Sequence, residues 1–343
     1  MEREKIVVAR PKLVRRMAFS ILRIGITVGL TLGVTACLVM QPTFHSNPPA
    51  KLQAKPDLLR QHVRTLTESF GPRYHDKPDN LSKCCEFLIG KFQQAGAVTR
   101  EQSYRVAGRD FKNVRAFFGP ENAPRIVIGA HYDACDEGET SANPGADDNA
   151  SGVAGLLELA RLLQQKHPSN TTVELVAYCT EEPPYFASND MGSYRHAELL
   201  KQENTQIKAA IILEMIGYFS DEPGSQRYPL PLMKWFYPNN GNFISLVGGV
   251  GDRTLIATTK RAMKGSAPLP VYSACIPRNW DFAHLSDHRN YWPFGYSAIM
   301  VTDTAFYRNS NYHKTTDTWQ TLDYPRMAHV VTQVHQAVLR LAE

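Results

Sequence analysis

The residues best suited to chemistry are carboxylates and imidazoles standing at the ends of apolar runs. His131 closes the run 126–130, and Asp133 follows closely enough to orient an imidazole that binds a metal. The segment Gly145-Ala-Asp147-Asp148-Asn149-Ala-Ser-Gly152 packs two acids between glycines just before a helical pattern. Acids at a helix start suit the dipole and the free N–H groups there, but Asn149 or Ser151 could cap this helix alone. The double acid is therefore spare for a metal. Thr180-Glu181-Glu182 supplies adjacent carboxylates directly after another strand-like run. Metal-assisted hydrolysis uses such a division, one carboxylate on the ion and the other free to take a proton from water. Glu214 ends the run 211–213, and a charge closing a buried strand is costly unless paired or metal-bound. Tyr312-His313 followed by Asp317 again sets a histidine near an acid that could hold its orientation. Each feature alone has a plainer reading, as a hydrogen-bonded histidine or a surface acid; their joint order is what points to hydrolysis at a metal.

Those residues need elements to bring them together. Helical periodicity and stop signals predict helices over 56–69 and 80–95, followed by strands at 114–118 and 126–130. From residue 150 to 166 the apolar positions Val153, Leu156, Leu157, Ala160 and Leu163 share one helix face. Strands are expected at 172–178, 209–213, 243–247 and 297–301, with helices at 193–203, 252–264 and 325–341. Alternating strands and helices predict an α/β fold, a three-layer α/β/α sandwich around a mostly parallel mixed sheet. Ligands collect at the carboxyl ends of strands in such sheets, and that is where His131, Glu181, Glu182, Glu214 and His313 fall.

In this order the motifs resemble those of the M28 family of zinc peptidases over residues 56–341. Its aminopeptidases carry HxD, GADD(N/D)xSG, EE, an acid at a strand end and HxxxDT, here His131 with Asp133, the 145–152 segment, Glu181-Glu182, Glu214, and His313 with Asp317. The resemblance implies two zinc ions about 3.5–4 Å apart, bridged by Asp148. It implies that His131 and Glu214 complete one ion, that Glu182 and His313 complete the other, and that Glu181 is the general base. It also implies a cis peptide bond between Asp148 and Asn149, and a peptide substrate trimmed as by an exopeptidase, most simply an aminopeptidase. Three departures stand out: Glu214 where well-known aminopeptidases carry Asp, an insertion from Pro183 to Asp190 that should rim the cleft, and a loop over 217–242, containing Trp235, that could cover the substrate.

Other functions fit less well. Ser286-Asp287-His288 are consecutive, which does not suit a Ser–His–Asp relay, and no GxSxG elbow exists, so a structural role is expected. A glutaminyl-cyclase-like transferase with one zinc would keep Asp148, Glu181, Glu182 and His313 but needs no second ion. A non-catalytic binding homologue would be expected to have lost ligands.

Charge and composition limit partners and place. Residues 1–40 hold seven Lys/Arg against Glu2 and Glu4, which accounts for the whole net charge of +5; the rest is neutral, with no basic stripe for nucleic acid. The uncharged run 24–40 behind this basic flank reads as a targeting segment. It is expected to anchor the chain with its catalytic part outside the cytoplasm, with lipidation at Cys37 or cleavage as alternatives. Residues 41–55, with three prolines, are expected as a linker, and 56–343 as the catalytic domain. Cys84, Cys85, Cys135, Cys179 and Cys275 show no CxxC spacing and name no disulfide.

Overall fold

Apolar runs bounded by turn residues become strands. The computed structural model, which describes residues 11–135 and 143–343, joins eight of them in one sheet among the described residues. They are β1 (Val98–Val106), β2 (Arg109–Phe118), β3 (Arg125–His131), β4 (Thr172–Tyr178), β5 (Ile207–Glu214), β6 (Ile244–Gly249), β7 (Val271–Ile276) and β8 (Ala298–Thr302). The spatial order is β1-β2-β4-β3-β5-β8-β6-β7. The centre is parallel, β4 and β5 flanking β3 and β8 joining β5, whereas β2 meets β4 and β6 meets β8 antiparallel.

The central strands are apolar on both faces because both faces are covered. In β3, Ile126, Ile128 and Ala130 enter one core while Val127 enters the other; β5 divides Ala209, Ile211 and Leu213 from Ala210 and Ile212 in the same way. The larger core is closed by residues of α2 (Pro56–Glu68), α3 (Pro78–Gln94), α4 (Gly152–Gln165), α6 (Arg253–Met263) and α7 (Tyr324–Ala342). The smaller is closed by Ala197 and Leu200 of α5 (Gly192–Gln202) and by Tyr291 and Trp292 from the turns at 287–294. Helix starts follow their residues: Pro opens α2 and α3, and Asp323 caps α7 by accepting the Arg326 N–H at 3.0 Å. Gly129 is required in β3, since a Cβ there would stand 2.2 Å from the Tyr178 ring.

Two strands were not expected. β1 is an edge strand whose side chains are nearly all exposed or half-buried, so it lacks the apolar signal of a core strand. β7 is short and follows Pro268 and Pro270, which read as loop.

The chain divides into two units, Met1–Pro42 and Thr43–Glu343. In the first, the first ten residues of the expected targeting segment lie outside the described residues, and α1 (Pro11–Met40) is one helix. Its part Arg15–Met40 is apolar and long enough to cross a bilayer, consistent with a signal sequence or an anchor. Residues 43–54, expected as linker, are tied to the second unit: the Asn47 and Ala50 N–H groups donate to the carbonyls of Lys264 and Ser266 at 2.9 and 2.8 Å.

Candidate metal centre and active site

Three neighbouring strands, β4, β3 and β5, lead into Glu181-Glu182, His131 and Glu214 at their carboxyl ends; His313 lies in the loop beyond β8, next to β5, and Asp148 in the turn before α4. This is where sheet order reverses about β3, the place where an open α/β sheet forms a crevice. His131 Nε2 lies 3.4 Å from Asp148 Oδ1 and 3.3 Å from Glu214 Oε2. His313 Nε2 lies 3.2 Å from Asp148 Oδ2 and 3.4 Å from Glu182 Oε2. The two oxygens of Asp148 thus face one imidazole each. Glu181 stands back, its nearest oxygen 3.8 Å from His131 Nε2.

Backbone and neighbouring side chains impose this arrangement. Both Asp317 oxygens accept the Asp147 N–H at 3.0 and 3.1 Å, and one also accepts the Asp148 N–H at 3.1 Å. That differs from the expectation that Asp317 would orient His313: the acid fixes the turn carrying Asp148 instead, because backbone amides are the donors within its reach. The Asp148-Asn149 bond is cis. Asn149 caps α4 by accepting the Gly152 N–H at 3.1 Å, and its amide donates to the Leu213 carbonyl at 2.8 Å, tying the turn to the end of β5. Asp147 points away from the cluster and accepts from the Gly217 N–H at 2.9 Å and Asn309 Nδ2 at 2.8 Å, so only one of the double acids reaches the centre. Ser286 donates to Glu214 Oε2 at 2.7 Å. Asp133 receives the Glu182 N–H at 3.1 Å, while the His131 Nδ1 is nearer its carbonyl, at 3.2 Å, than its carboxylate, at 3.6 Å. Thr180, Met215 and His313 adopt left-handed φ of 60°, 48° and 56°. Non-glycine residues held there cost about 1–3 kcal/mol each and gather at functional turns.

Electrostatically the cluster is overloaded with acid. Burial lifts Glu181 well above its usual range; His131 opposes this, and the charges of Glu182, Asp287 and Glu214 add to it. Burial and the Asp148 charge push Glu182 up to about 8. Asp148 is held below the usual range, because His131 and His313 overcome the effect of burial. For His131, burial disfavours the charged ring, but Glu181 and Glu214 prevail and raise it well above its ordinary value.

The donor set fits zinc. His131 Nε2 and Glu182 Oε1 are buried and make no hydrogen bond. A tetrahedral centre with bonds of about 2.0–2.1 Å spaces its donors about 3.3–3.4 Å apart, which matches the 3.2–3.4 Å measured around Asp148. Four buried carboxylates sharing two imidazoles also leave a negative excess that a divalent cation would relieve.

A cavity of about 170 Å³ opens from these groups, lined by Asp148, Glu181, Glu182, Glu214 and His313 at one end and by Tyr237, Phe243, Val247, Ile276, Phe282 and Met300 among others. Pro183 and Phe186 of the expected insertion line it, as do Gln226 to Pro229, Met233 and Tyr237 of the 217–242 loop. Trp235 is 85% exposed and points elsewhere. Residues that the sequence did not mark are Ser286 as a holder of Glu214, and Cys135, whose thiol lies among the donors of Glu182 and His313. The signal for Cys135 was available: it stands four residues beyond the strand-end His131.

A mixed, mostly parallel sheet between helices, with a cluster of metal-binding type at its central strand ends, is the zinc exopeptidase-like fold. The chain belongs to peptidase family M28, whose profile matches residues 113–338. It is 46% identical to YfbL of Escherichia coli K12 over 297 residues, covering 86% of this chain and 91% of that one. To leucine aminopeptidase 1 of Ajellomyces dermatitidis it is 26% identical over 293 residues, 81% of this chain and 69% of the other. In fold it is similar to the LapA aminopeptidase of Legionella pneumophila, with a TM-score of 0.67 at 20% identity over 84% of this chain and 72% of that one. The glutaminyl cyclase of Fimbriiglobus ruber is similar too, with a TM-score of 0.63 at 22% identity over 88% and 98% of the two chains.

Proposed function

We propose that the protein is a two-zinc aminopeptidase. The observation that carries this reading is the division of Asp148, with one oxygen 3.4 Å from His131 and the other 3.2 Å from His313. His131, Glu214 and Asp148 would hold one ion, and Glu182, His313 and Asp148 the other. Zinc held there supplies a water of lowered pKa and a Lewis acid for the peptide carbonyl. Glu181 accepts the proton of the attacking water and returns it to the leaving amine. The turn 180–182 sends Glu181 and Glu182 to different places, and Asp133 fixes that division through the Glu182 N–H. The cavity selects a bulky apolar side chain: at about 170 Å³ it exceeds the ~150 Å³ that accommodates benzene in an engineered apolar cavity. The names of the fungal relative and of LapA support the amino-terminal direction. We also propose that residues 1–40 anchor an exported domain to the membrane.

A mono-zinc cyclase would have no use for the buried Nε2 of His131 between Asp148 and Glu214, which favours the peptidase. The test is a panel of dipeptides with free or blocked amino ends, assayed with and without chelator, alongside zinc content. Cleavage of free Leu or Phe dipeptides, abolished by chelator and by blocking, is expected with two zinc ions per chain. Cleavage indifferent to the block would remove the aminopeptidase assignment, and a single zinc with cyclisation of N-terminal Gln would favour the transferase.

A further inference from the structure

The cysteines of the domain have different surroundings. Cys84, Cys85, Cys179 and Cys275 pack inside the apolar core, as small hydrophobes do. Cys135 is equally buried but belongs to neither apolar core. It follows the end of β3, and its Sγ lies with a Glu182 oxygen and a His313 nitrogen so that all three donor atoms are within 4.8 Å of one another. Independently of the thiol, Glu182 is 4% exposed and its Oε1 has no hydrogen-bond partner, so this corner of the cluster holds a buried oxygen that a cation would satisfy.

We propose that Cys135 is a fourth protein donor to the metal held by Asp148, Glu182 and His313, an inference resting on the two-zinc reading above. Its physical content is an asymmetry. One imidazole, two carboxylates and one thiolate make a complete tetrahedral set, the condition of a closed zinc site. Around His131 the partners are Asp148, Glu214 and, farther away, Glu181, with no sulfur in the corresponding donor groups among the described residues. That side keeps a position for water and substrate. The thiol gives up its proton to solvent as the ion binds, since the thiolate is the ligand. Binding at this site therefore releases one proton more in the native protein than in Cys135→Ser.

X-ray absorption at the zinc edge of the full two-zinc protein tests this directly. The expected spectrum contains a sulfur shell at about 2.3 Å, in the ratio of one sulfur to two zinc ions, and the shell is absent from Cys135→Ser. Cobalt substitution should give a thiolate-to-metal charge-transfer band that Cys135→Ser and Cys135→Ala both lack. Affinity at one of the two sites should fall at least about 10-fold in these variants, the scale on which even outer-shell partners act. Because the sulfur shell is read on the unaltered protein, a variant that folds poorly does not blunt the test. A two-zinc protein with only nitrogen and oxygen scatterers would overturn the Cys135 assignment and leave the peptidase reading standing. A protein that takes up no zinc would overturn both, and zinc content separates the two failures.

Discussion

Glu181 and Glu182 are adjacent in sequence and opposite in circumstance. The Glu182 oxygen meets His313 and its backbone N–H is held by Asp133, whereas Glu181 stands 3.8 Å from His131. Glu181→Gln keeps the shape and removes the proton acceptor. We expect kcat for a Leu-amide substrate to fall about 10²–10⁴-fold, the usual worth of a general base, with zinc content unchanged; activity that persists would sink this role. Ser286 acts through another residue. Without its hydroxyl, Glu214 loses an anchor at 2.7 Å, and Ser286→Ala should weaken one zinc site about 10–100-fold, as read by metal titration, while Ser286→Thr restores part of it. The acids and histidines were legible because their spacing follows strand ends. The partners of those acids were not: Asp317, four residues beyond His313, serves amides of Asp147 and Asp148 some 170 positions earlier in the chain, a pairing that exists only in the fold.

The elements hold the centre from beneath. Glu174, in the middle of β4, accepts from Arg115 of β2 at 2.6 Å and Arg125 of β3 at 2.8 Å, and lies 3.0 Å from His196 of α5. Burial would raise this carboxyl, but the charges of His196, Arg115 and Arg125 hold it below its ordinary value of 4.5. A depressed folded value means that its stabilisation is complete above the unfolded value of 4.5 and is lost as pH falls below it. Glu174→Gln leaves two buried guanidinium groups without their anion and should destabilise the domain by about 3–5 kcal/mol. Urea unfolding at neutral pH reads that loss, and the variant should show a shallower decline of stability with acid below pH 4.5 than the native protein. An equal decline in both would refute the sign. In the sequence Glu174 is a lone acid inside an apolar strand, with nothing to announce its partners. β1 escaped notice for the converse reason, since an edge strand needs no apolar face.

For the whole molecule, metal and membrane are separate matters. Each ion that binds the folded state alone stabilises it by about 2.7 kcal/mol at a hundredfold excess over Kd, so two such ions contribute about 5 kcal/mol. Removing both by chelation should therefore lower the melting temperature by about 9 °C, and added zinc should restore it. No change on chelation would argue against an ion at the centre. Arg15–Met40 is long enough to span a bilayer, so full-length protein should sediment with membranes and resist alkaline extraction, whereas a chain starting at Thr43 should be soluble. Recovery of full-length protein in the soluble fraction, shortened at its N-terminus, would identify a cleaved signal instead.

By itself the sequence determined the layer architecture and the order of most strands and helices, and it pointed to His131, Asp148, Glu181, Glu182, Glu214 and His313, whose side chains the fold gathers. Apolar periodicity and acids at strand ends are local properties that any reading of the chain meets. Tertiary structure alone decided that Asp148 faces both histidines while Asp147 turns to Gly217 and Asn309. It also decided that Cys135 leaves the apolar core and that Ser286 meets Glu214. Those facts depend on which strand lies beside which and on the direction in which each turn leaves the sheet. Contacts between residues far apart in the chain arise only when the sheet closes β3, β4, β5 and β8 side by side.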